Sequence, residues 1–254
     1  MVFFFTATGN SLYVAKKLEE DPISIPQALK NNKLEYTCET VGIVCPVFSG
    51  ELPAIVCEFL KKVKLNAEYV YMVLTYGNDE TVAAKEGKKF AEKCGINVNY
   101  IATIKMVDNF LPVFDVSQQI KEDKKTDLQI EKAIKDISER KNYLPKVTFK
   151  GKALYNVVKR MHNAHPEQIN GQILTVKDNC TRCGICTKVC PEKNFKVENS
   201  KAFRVRETCN FCLSCANNCP EKAIGFTSSE KNPNARYRHE NISLEEIIKA
   251  NDQT

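Results

Sequence analysis

Short apolar segments separated by polar loops recur through roughly the first hundred residues of the chain. Four of them have the composition of buried β-strands and lie at residues 2–5, 41–45, 69–74 and 97–104. Segments with apolar residues at helical spacing follow the first three, at about residues 12–18, 53–64 and 81–94. A weaker strand is expected at 23–25 or at 36–38, and the pattern does not choose between them. Alternating strands and helices predict βαβ units, and therefore a doubly wound parallel sheet of the α/β class.

The pattern changes in the second half of the chain. Residues 121–142 are charged but keep apolar residues on one helical face, and residues 153–162 predict a short basic amphipathic helix. Short strands are expected at 173–176 and 223–227, and a final helix over 243–249 would begin with a capping box of Ser243 and Glu246. These elements predict an α/β domain over 1–142, a helical connector over 143–171, a small α+β domain over 172–228, and a tail over 229–254 that packs back on one domain.

The loop after the first predicted strand is rich in small hydroxyl residues and leads directly into a helix. It reads Thr6, Ala7, Thr8, Gly9, Asn10 and Ser11. In a strand–loop–helix unit of this kind, backbone N–H groups and hydroxyls converge on an anion at the positive end of the helix dipole. The loop has no Lys, as expected for a terminal phosphate monoester, and the chain contains neither a P-loop nor a dinucleotide-binding glycine motif. The alternative is a helix capped by Thr8 or Asn10 without a ligand.

This loop resembles the phosphate loop of the flavodoxins, Ser/Thr-x-Thr-Gly-x-Ser/Thr, at every position. The resemblance covers about residues 1–140 and implies a sheet of order 2-1-3-4-5 that binds FMN at the carboxyl ends of its strands. It assigns the phosphate to Thr6, Thr8, Gly9, Asn10 and Ser11. It assigns the flavin ring to two later loops, Pro46, Val47, Phe48, Ser49 and Gly50, and Thr75, Tyr76, Gly77 and Asn78. The chain departs from the family in having no Trp, and Phe48 and Tyr76 are alternatively packing aromatics.

Residues 106–112 follow the last clear strand on the same side as these loops. Three interpretations remain open: a cover for the flavin, a seam with the small domain, or an ordinary connection.

Eight cysteines form two copies of the spacing C-x2-C-x2-C-x3-C-P. The first copy is Cys180, Cys183, Cys186 and Cys190, and the second, shifted by 29 residues at every position, is Cys209, Cys212, Cys215 and Cys219. The run resembles the bacterial two-cluster ferredoxins, in which the fourth cysteine of each copy ligates the other cluster. The resemblance therefore implies one [4Fe–4S] cluster on Cys180, Cys183, Cys186 and Cys219, and a second on Cys209, Cys212, Cys215 and Cys190.

Two other uses of cysteine fit this pattern less well. Paired zinc sites show C-x2-C blocks without the third cysteine and the trailing Cys-Pro. A disulfide framework needs an oxidising compartment, which nothing in the sequence indicates. The remaining cysteines, Cys38, Cys45, Cys57 and Cys94, have no pair spacing and are interpreted as packing residues.

The net charge is +6. Residues 151–254 carry +5 of it, with 16 Lys and Arg against 11 Asp and Glu. Two oxidised clusters would contribute roughly −4 and a bound phosphate about −1.5 to −2, so the excess is interpreted as compensation for cofactor charge. No nucleic-acid-binding motif and no apolar run long enough to span a membrane occur, and a cytoplasmic location is expected.

Together the two segments resemble the flavodoxin–ferredoxin fusion proteins of anaerobic bacteria and archaea. The resemblance implies an electron carrier that couples one- and two-electron steps with a ferredoxin-type or other redox partner. The alternative is an FMN-dependent reductase of a small substrate fed by the clusters. Glu51, Asp79 and Asp108 are the candidate proton donors beside the flavin loops, and no convincing acid–base pair accompanies them.

Overall fold

The computed structural model describes residues 1–198, 201–207, 209–228 and 230–254, so Ser229, where the predicted tail begins, lies outside the described residues. Its main sheet contains β1 (Val2–Phe4), β2 (Ile23–Ser24), β4 (Thr40–Pro46), β6 (Tyr69–Tyr76) and β7 (Tyr100–Lys105), all parallel. The spatial order is β2-β1-β4-β6-β7, which is 2-1-3-4-5 when these five strands alone are counted. This flavodoxin-like order confirms the predicted fold class.

The main sheet shows which of the two segments predicted as a weak second strand belongs to it. Ile23 and Ser24 pair with β1, whereas Tyr36 lies in β3 (Glu35–Thr37), which forms a separate parallel ribbon with β5 (Lys64–Asn66). Both segments are therefore strands, and only the first extends the main sheet.

Helices cover both faces of the sheet, which explains why its strands are apolar throughout. On one face, Phe3, Ile43 and Met72 pack with α2 (Ile25–Lys30), α3 (Ala54–Lys62) and α4 (Ala83–Lys93). On the other, Phe4 and Val44 pack with α1 (Asn10–Leu18) and α6 (Thr126–Ser138), and α5 (Val116–Gln119) precedes α6. Neighbouring residues of a strand thus belong to different cores.

The connector contains one long helix, α7 (Phe149–Ala164), followed by a 3-10 turn at Pro166–Gln168. It begins four residues before the predicted helix because the Thr148 side chain accepts a hydrogen bond from the Gly151 N–H and caps it. Helix α6 is shorter than the predicted 121–142 because Lys125 takes a left-handed backbone conformation just before it.

In its described residues the small α+β unit contains two antiparallel two-stranded sheets and two short helices. Strand β8 (Leu174–Val176) pairs with β11 (Ile224–Phe226), and β9 (Phe195–Glu198) pairs with β10 (Lys201–Arg204). Helices α8 (Ile185–Lys188) and α9 (Ser214–Asn217) lie between them in sequence. The strands predicted at 173–176 and 223–227 are confirmed.

The tail ends in α10 (Leu244–Asn251), which begins with the predicted capping box of Ser243 and Glu246. It packs back on the α/β unit, where Ser24 donates a hydrogen bond to the Ala250 carbonyl at 2.5 Å and Lys16 pairs with Glu246 at 2.6 Å. Across the described residues, no helix is both long and apolar enough to cross a membrane.

Candidate functional site

Four cysteines line a cavity near the surface of the small unit. They are Cys180, Cys183, Cys186 and Cys219, and the space among them is about 340 Å³, counted with the part open to solvent. Cys183 is exposed, Cys186 is buried and the other two are half-buried. We call this the outer cavity.

The other four cysteines line a second cavity of about 350 Å³, again counted with its open part. They are Cys190, Cys209, Cys212 and Cys215, of which Cys190 and Cys215 are buried and the others half-buried. We call this the inner cavity. Each cavity thus combines three cysteines of one motif copy with the fourth of the other copy.

The 29-residue repeat extends from the cysteines to the backbone. Three pairs of residues 29 apart all have positive φ: Arg182 and Phe211, Gly184 and Leu213, Lys193 and Lys222. Helices α8 and α9 are also 29 residues apart. The left-handed conformation is unfavourable for residues other than glycine, so its presence in both copies indicates that both loops must hold the same curved geometry.

Backbone N–H groups donate to the sulfur atoms of four cysteines. The pairs are Ala202 to Cys180 at 3.5 Å, Asn194 to Cys190 at 3.3 Å, Phe211 to Cys209 at 3.3 Å and Ala223 to Cys219 at 3.3 Å. Among the described residues each cavity therefore has at least two such bonds, a feature that tunes the potential of cysteine-ligated clusters. Burial raises the pKa of the thiols of Cys212 and Cys215 well above the ordinary value, so their thiolates need a cation beside them. The donor set and its enclosure fit an iron–sulfur cluster in each cavity.

Residues around the cavities form an apolar shell. Val189, Phe195, Phe211, Leu213 and Ile224 are buried and Ile185 is half-buried, all in one apolar cluster. That cluster continues into the α1 face of the sheet, so the small unit and the α/β unit share a core.

The predicted phosphate loop lies buried between β1 and α1. Gly9 has a φ of 102°, and its N–H donates to Thr6 Oγ1 at 3.0 Å. N–H groups with no acceptor in the described part of the chain belong to Asn10, Ser11 and Leu12. Buried N–H groups are rarely left unpaired, and these three lie in the first turn of α1, at its positive end. The loop therefore fits a phosphate group.

Two other parts of the chain close over this loop. From the small unit, the Ser214 hydroxyl donates to the Ala7 carbonyl at 2.7 Å. From the tail, the Tyr237 hydroxyl donates to Asn10 Oδ1 at 2.7 Å, and the His239 N–H donates to the Thr8 carbonyl at 2.8 Å. The tail was expected to pack on one domain, but nothing in its sequence pattern indicated that it covers the loop.

Residues 106–112 form a seam between the units. Asn109 Nδ2 donates to Thr8 Oγ1 at 2.5 Å, and Asn10 Nδ2 donates to the Val107 carbonyl at 3.1 Å. On the opposite side, the rings of Phe110 and Phe211 meet edge to face at 5.8 Å. This segment therefore contacts both the phosphate loop and the inner cavity.

The first predicted ring loop forms a tight turn at the carboxyl end of β4. Phe48 and Glu51 exchange two backbone hydrogen bonds of 3.0 Å, and Ser49 and Gly50 between them have φ values of 54° and 83°. Positive φ at both central residues is the type I′ geometry. Pro46 ends β4, the Val47 N–H donates to the Thr75 carbonyl at 2.8 Å, and the ring of Phe48 meets that of Phe5 at 6.4 Å.

The second ring loop lies at the end of the neighbouring β6. Thr75 Oγ1 is 2.8 Å from Ser11 Oγ, which joins this loop to the phosphate loop. Gly77 faces the Asp108 side chain so closely that a Cβ atom would lie 2.4 Å from it, and Asn78 donates its N–H to that carboxylate. Burial raises the pKa of Asp108, and burial with nearby Glu80 and Asp79 raises the pKa of Tyr76 to about 12. All three predicted loops thus meet at one edge of the sheet.

Sequence reasoning missed a polar chain beside the first ring loop. The Tyr155 hydroxyl donates to the Glu51 carboxylate at 2.5 Å, and Lys159 Nζ donates to the same tyrosine oxygen at 3.2 Å. The ring of Tyr155 lies so close to Gly50 that a Cβ atom there would be 2.8 Å from it. The four-residue spacing of Tyr155 and Lys159 indicated a shared helix face, but nothing placed that face against Glu51.

The cysteines outside the two motif copies, two histidines of the connector and one arginine of the tail have structural surroundings. Cys45 is buried, and Cys38, Cys57 and Cys94 are half-buried on the same face of the sheet. His165 pairs with Glu167 at 3.2 Å, and burial lowers the pKa of the half-buried His162. Arg236 is buried in an ion pair of 2.8 Å with Glu230.

Comparison with known proteins identifies one part of the chain. Residues 172–236, which are 65 of 254, match the family described as the 4Fe-4S dicluster domain. With the eight-cysteine pattern, this match supports two [4Fe–4S] clusters and indicates electron transfer through this region.

No curated protein matches the chain. A solved structure of Trp repressor binding protein from Bacillus subtilis is similar at 9% identity and a TM-score of 0.35, over 55% of this chain and 97% of that one. The flavodoxin-like fold of the first half of this chain is assigned from the strand order of its own main sheet.

Proposed function

We propose that this protein transfers electrons between two [4Fe–4S] clusters and FMN and exchanges them with a ferredoxin-type redox partner. The observation that carries the proposal is the hydrogen bond of 2.7 Å from Ser214 to Ala7, because it joins the inner cavity directly to the predicted phosphate loop. Clusters pass single electrons, whereas a flavin also supports two-electron chemistry. A chain with both would couple the two kinds of step, as in the flavodoxin–ferredoxin fusions that it resembles.

In this proposal each cavity holds one cluster through its four cysteines. The phosphate of FMN is bound by the backbone N–H groups of residues 10–12 and the hydroxyls of Thr6, Thr8 and Ser11, in the loop whose turn is made by Gly9. The ring lies among the loops at 46–50 and 75–78, whose glycines leave the backbone free to approach it. The exposed Cys183 makes the outer cavity the point of exchange with a soluble partner, and the inner cavity the link to the flavin.

Anaerobic reconstitution followed by redox titration tests this function. The loaded chain is expected to hold about eight iron atoms and one flavin, since each cluster contains four irons. Optical absorbance would follow the flavin, and electron paramagnetic resonance would follow the clusters. A chain that takes up iron but no flavin, at any flavin concentration tried, would contradict the role proposed for residues 1–142.

A second candidate, an FMN-dependent reductase of a small molecule, is favoured by the contact of Glu51, Tyr155 and Lys159 beside Gly50. A reductase needs a group that delivers a proton, and a tyrosine held between a carboxylate and an ammonium group can do so. Tyr155→Phe keeps the ring and removes that proton. If the chain is a reductase, this variant reduces a small quinone at least about tenfold more slowly. If Tyr155→Phe and the unaltered chain reduce quinone at equal rates, and also reduce a protein acceptor at equal rates, the carrier function is favoured.

A further inference from the structure

Helix α7 belongs to a segment with an unusual distribution of charge. Residues 143–166 contain five cationic side chains and no Asp or Glu: Lys146, Lys150, Lys152, Lys159 and Arg160. Lys159 lies 4.0 Å from Glu51, and in the described part of the chain the other four form no ion pair. The segment therefore presents positive charge that the rest of the chain leaves largely uncompensated.

The outer face of α7 is also apolar along its middle. Phe149, Ala153, Val157 and Met161 follow one another at four-residue intervals and are all exposed, with Phe149 at 90% and Val157 and Met161 at 55%. Twelve residues of helix separate the first from the last, so the stripe is about 18 Å long. An apolar centre flanked by charged groups is the usual composition of a protein interface.

The inner face of α7 fixes this stripe beside the predicted flavin loops. Gly151 packs on the Thr81 backbone so closely that a Cβ atom would lie 3.1 Å from the Thr81 carbonyl oxygen. One turn later, Tyr155 contacts Gly50 and Glu51. A molecule bound on the outer face would therefore lie one helix away from the loops at 46–50 and 75–81.

The small unit offers no comparable uncompensated charge. Residues 172–236 contain 11 Lys and Arg against 6 Asp and Glu, an excess of five, but this region also holds the eight thiolates of the clusters. Residues 143–166 contribute no cluster thiolates that would offset the positive charge of α7. Attraction of an acidic partner is therefore expected at α7 more than at the cluster unit.

We propose that the outer face of α7 is the docking surface for the acidic face of a ferredoxin-type redox protein. The lysines and Arg160 steer the acidic partner, and the stripe from Phe149 to Met161 forms the centre of the contact. This proposal rests on the proposed electron-transfer function. It adds a second point of exchange, on α7 beside the flavin loops, to the outer cavity with its exposed Cys183. A redox protein is favoured over an anionic membrane because the helix that carries the stripe packs through its inner face on the loops from which electrons would leave.

Calorimetric titration of the loaded full-length chain with an oxidised, acidic [2Fe–2S] ferredoxin tests the proposal. Lys150→Glu combined with Arg160→Glu is expected to raise the dissociation constant by about tenfold or more and to flatten its dependence on salt. Phe149→Ser combined with Met161→Ser is expected to weaken binding with little change in the salt dependence. The controls on α6 and before it, Lys121→Glu with Lys135→Glu and Leu128→Ser, should change the constant by less than about twofold, since they change exposed residues of the same kinds elsewhere.

Three results would overturn the proposal: no binding of the ferredoxin by the unaltered chain, equal affinity of the α7 variants and the unaltered chain, or α7-dependent binding only to phosphatidylglycerol vesicles. Binding of the oxidised probe requires no electron to move. Failure of the chain to hold flavin would thus contradict the proposed function and leave the docking measurement intact. Failure of docking in a chain that holds flavin and clusters would contradict only the docking surface.

Discussion

The outer and inner cavities are built from the same 29-residue motif, yet they lie in opposite surroundings. The outer one contains the exposed Cys183, whereas the equivalent Cys212 packs against the apolar core of the α/β unit. Both copies keep the same left-handed loop residues, and in both the N–H group four residues after the fourth cysteine donates to its sulfur, Asn194 to Cys190 and Ala223 to Cys219. The ligand geometry is therefore independent of location, and other positions of the motif determine where each cavity lies.

Those positions are visible when the copies are aligned. Ile185 of the outer copy corresponds to Ser214, whose hydroxyl binds the Ala7 carbonyl. Gly184 corresponds to Leu213, which is buried in the shared core although its backbone is left-handed. At these two positions the inner copy thus carries a polar and an apolar contact that fix it to the α/β unit. Solvent exposure is one determinant of cluster potential, so the two clusters should differ in potential despite their equal ligands.

Removing one cysteine from each cavity should give the largest difference. In Cys183→Ser and in Cys215→Ser we expect the iron content to fall from about eight to about four per chain, because a cluster needs its four thiolates. Cys183→Ser should keep the flavin, since the exposed cavity does not touch the phosphate loop. Cys215→Ser should also lose flavin, because metal binding and folding of the inner loop are coupled. Iron and flavin analysis of both purified variants checks this, and equal flavin loss from both would contradict the distinction.

Exchanging the side chains at the equivalent left-handed positions should give a smaller difference. Leu213→Gly removes a buried side chain and should lower the free energy of unfolding by about 2–4 kcal/mol, less a small gain from relieved backbone strain. Gly184→Ala meets no atom within 4 Å and should cost only about 1 kcal/mol for its left-handed conformation. Denaturant titration of the cluster-loaded variants measures both. A larger loss of unfolding free energy in Gly184→Ala than in Leu213→Gly would show that the outer loop is packed more tightly than the inner one.

The smallest effect concerns His239, which stacks on Tyr13 at 4.2 Å and covers the phosphate loop beside the inner cavity. Burial lowers the pKa of this histidine, although Glu240 and Asp127 oppose the change. The unfolded chain therefore binds the proton first, and stability should decrease as the pH falls below about 6.5 towards the lower pKa of the folded state. His239→Gln should reduce this decrease.

Hydrogen exchange of the amides of residues 7–12, measured between pH 5 and 7.5, follows the cover directly. The protection of these amides, taken relative to their intrinsic exchange rate at each pH, should fall in acid in the unaltered chain and much less in His239→Gln. His162→Gln is the matched control, because burial also lowers the pKa of His162 but that residue lies on α7. A loss of protection in acid that persists in His239→Gln would assign the effect to another group.

The features that could be predicted from the sequence are local ones. The strand of residues 2–5, the loop at 6–11 and the cysteine spacing each depend on neighbouring residues, so their patterns are readable without the fold. The two short strands at 23–24 and 35–37 were equally plausible, because two or three residues do not show which sheet they join.

Contacts between distant segments could not be predicted in the same way. Tyr155 and Glu51 are 104 residues apart, and neither belongs to a motif. The tail has an amphipathic helix and a recognisable cap, which predict packing but not the surface on which it packs. Tyr237 and His239 reach the phosphate loop from a tail that the small unit also holds, through the bond from the Tyr237 N–H to Asn217 Oδ1 at 3.1 Å.

The covering of the phosphate loop by the tail has a consequence for synthesis on the ribosome. Tyr237 and Asn10, which share a hydrogen bond, are 227 residues apart in the chain. At about 5–20 residues per second, the loop emerges roughly 10–45 s before its cover has been made. During that interval the α/β unit can fold with the loop open. A cofactor that enters then is later enclosed by residues that had not been made when it bound. Its rate of entry is therefore determined by the nascent chain, and its rate of escape by the finished protein.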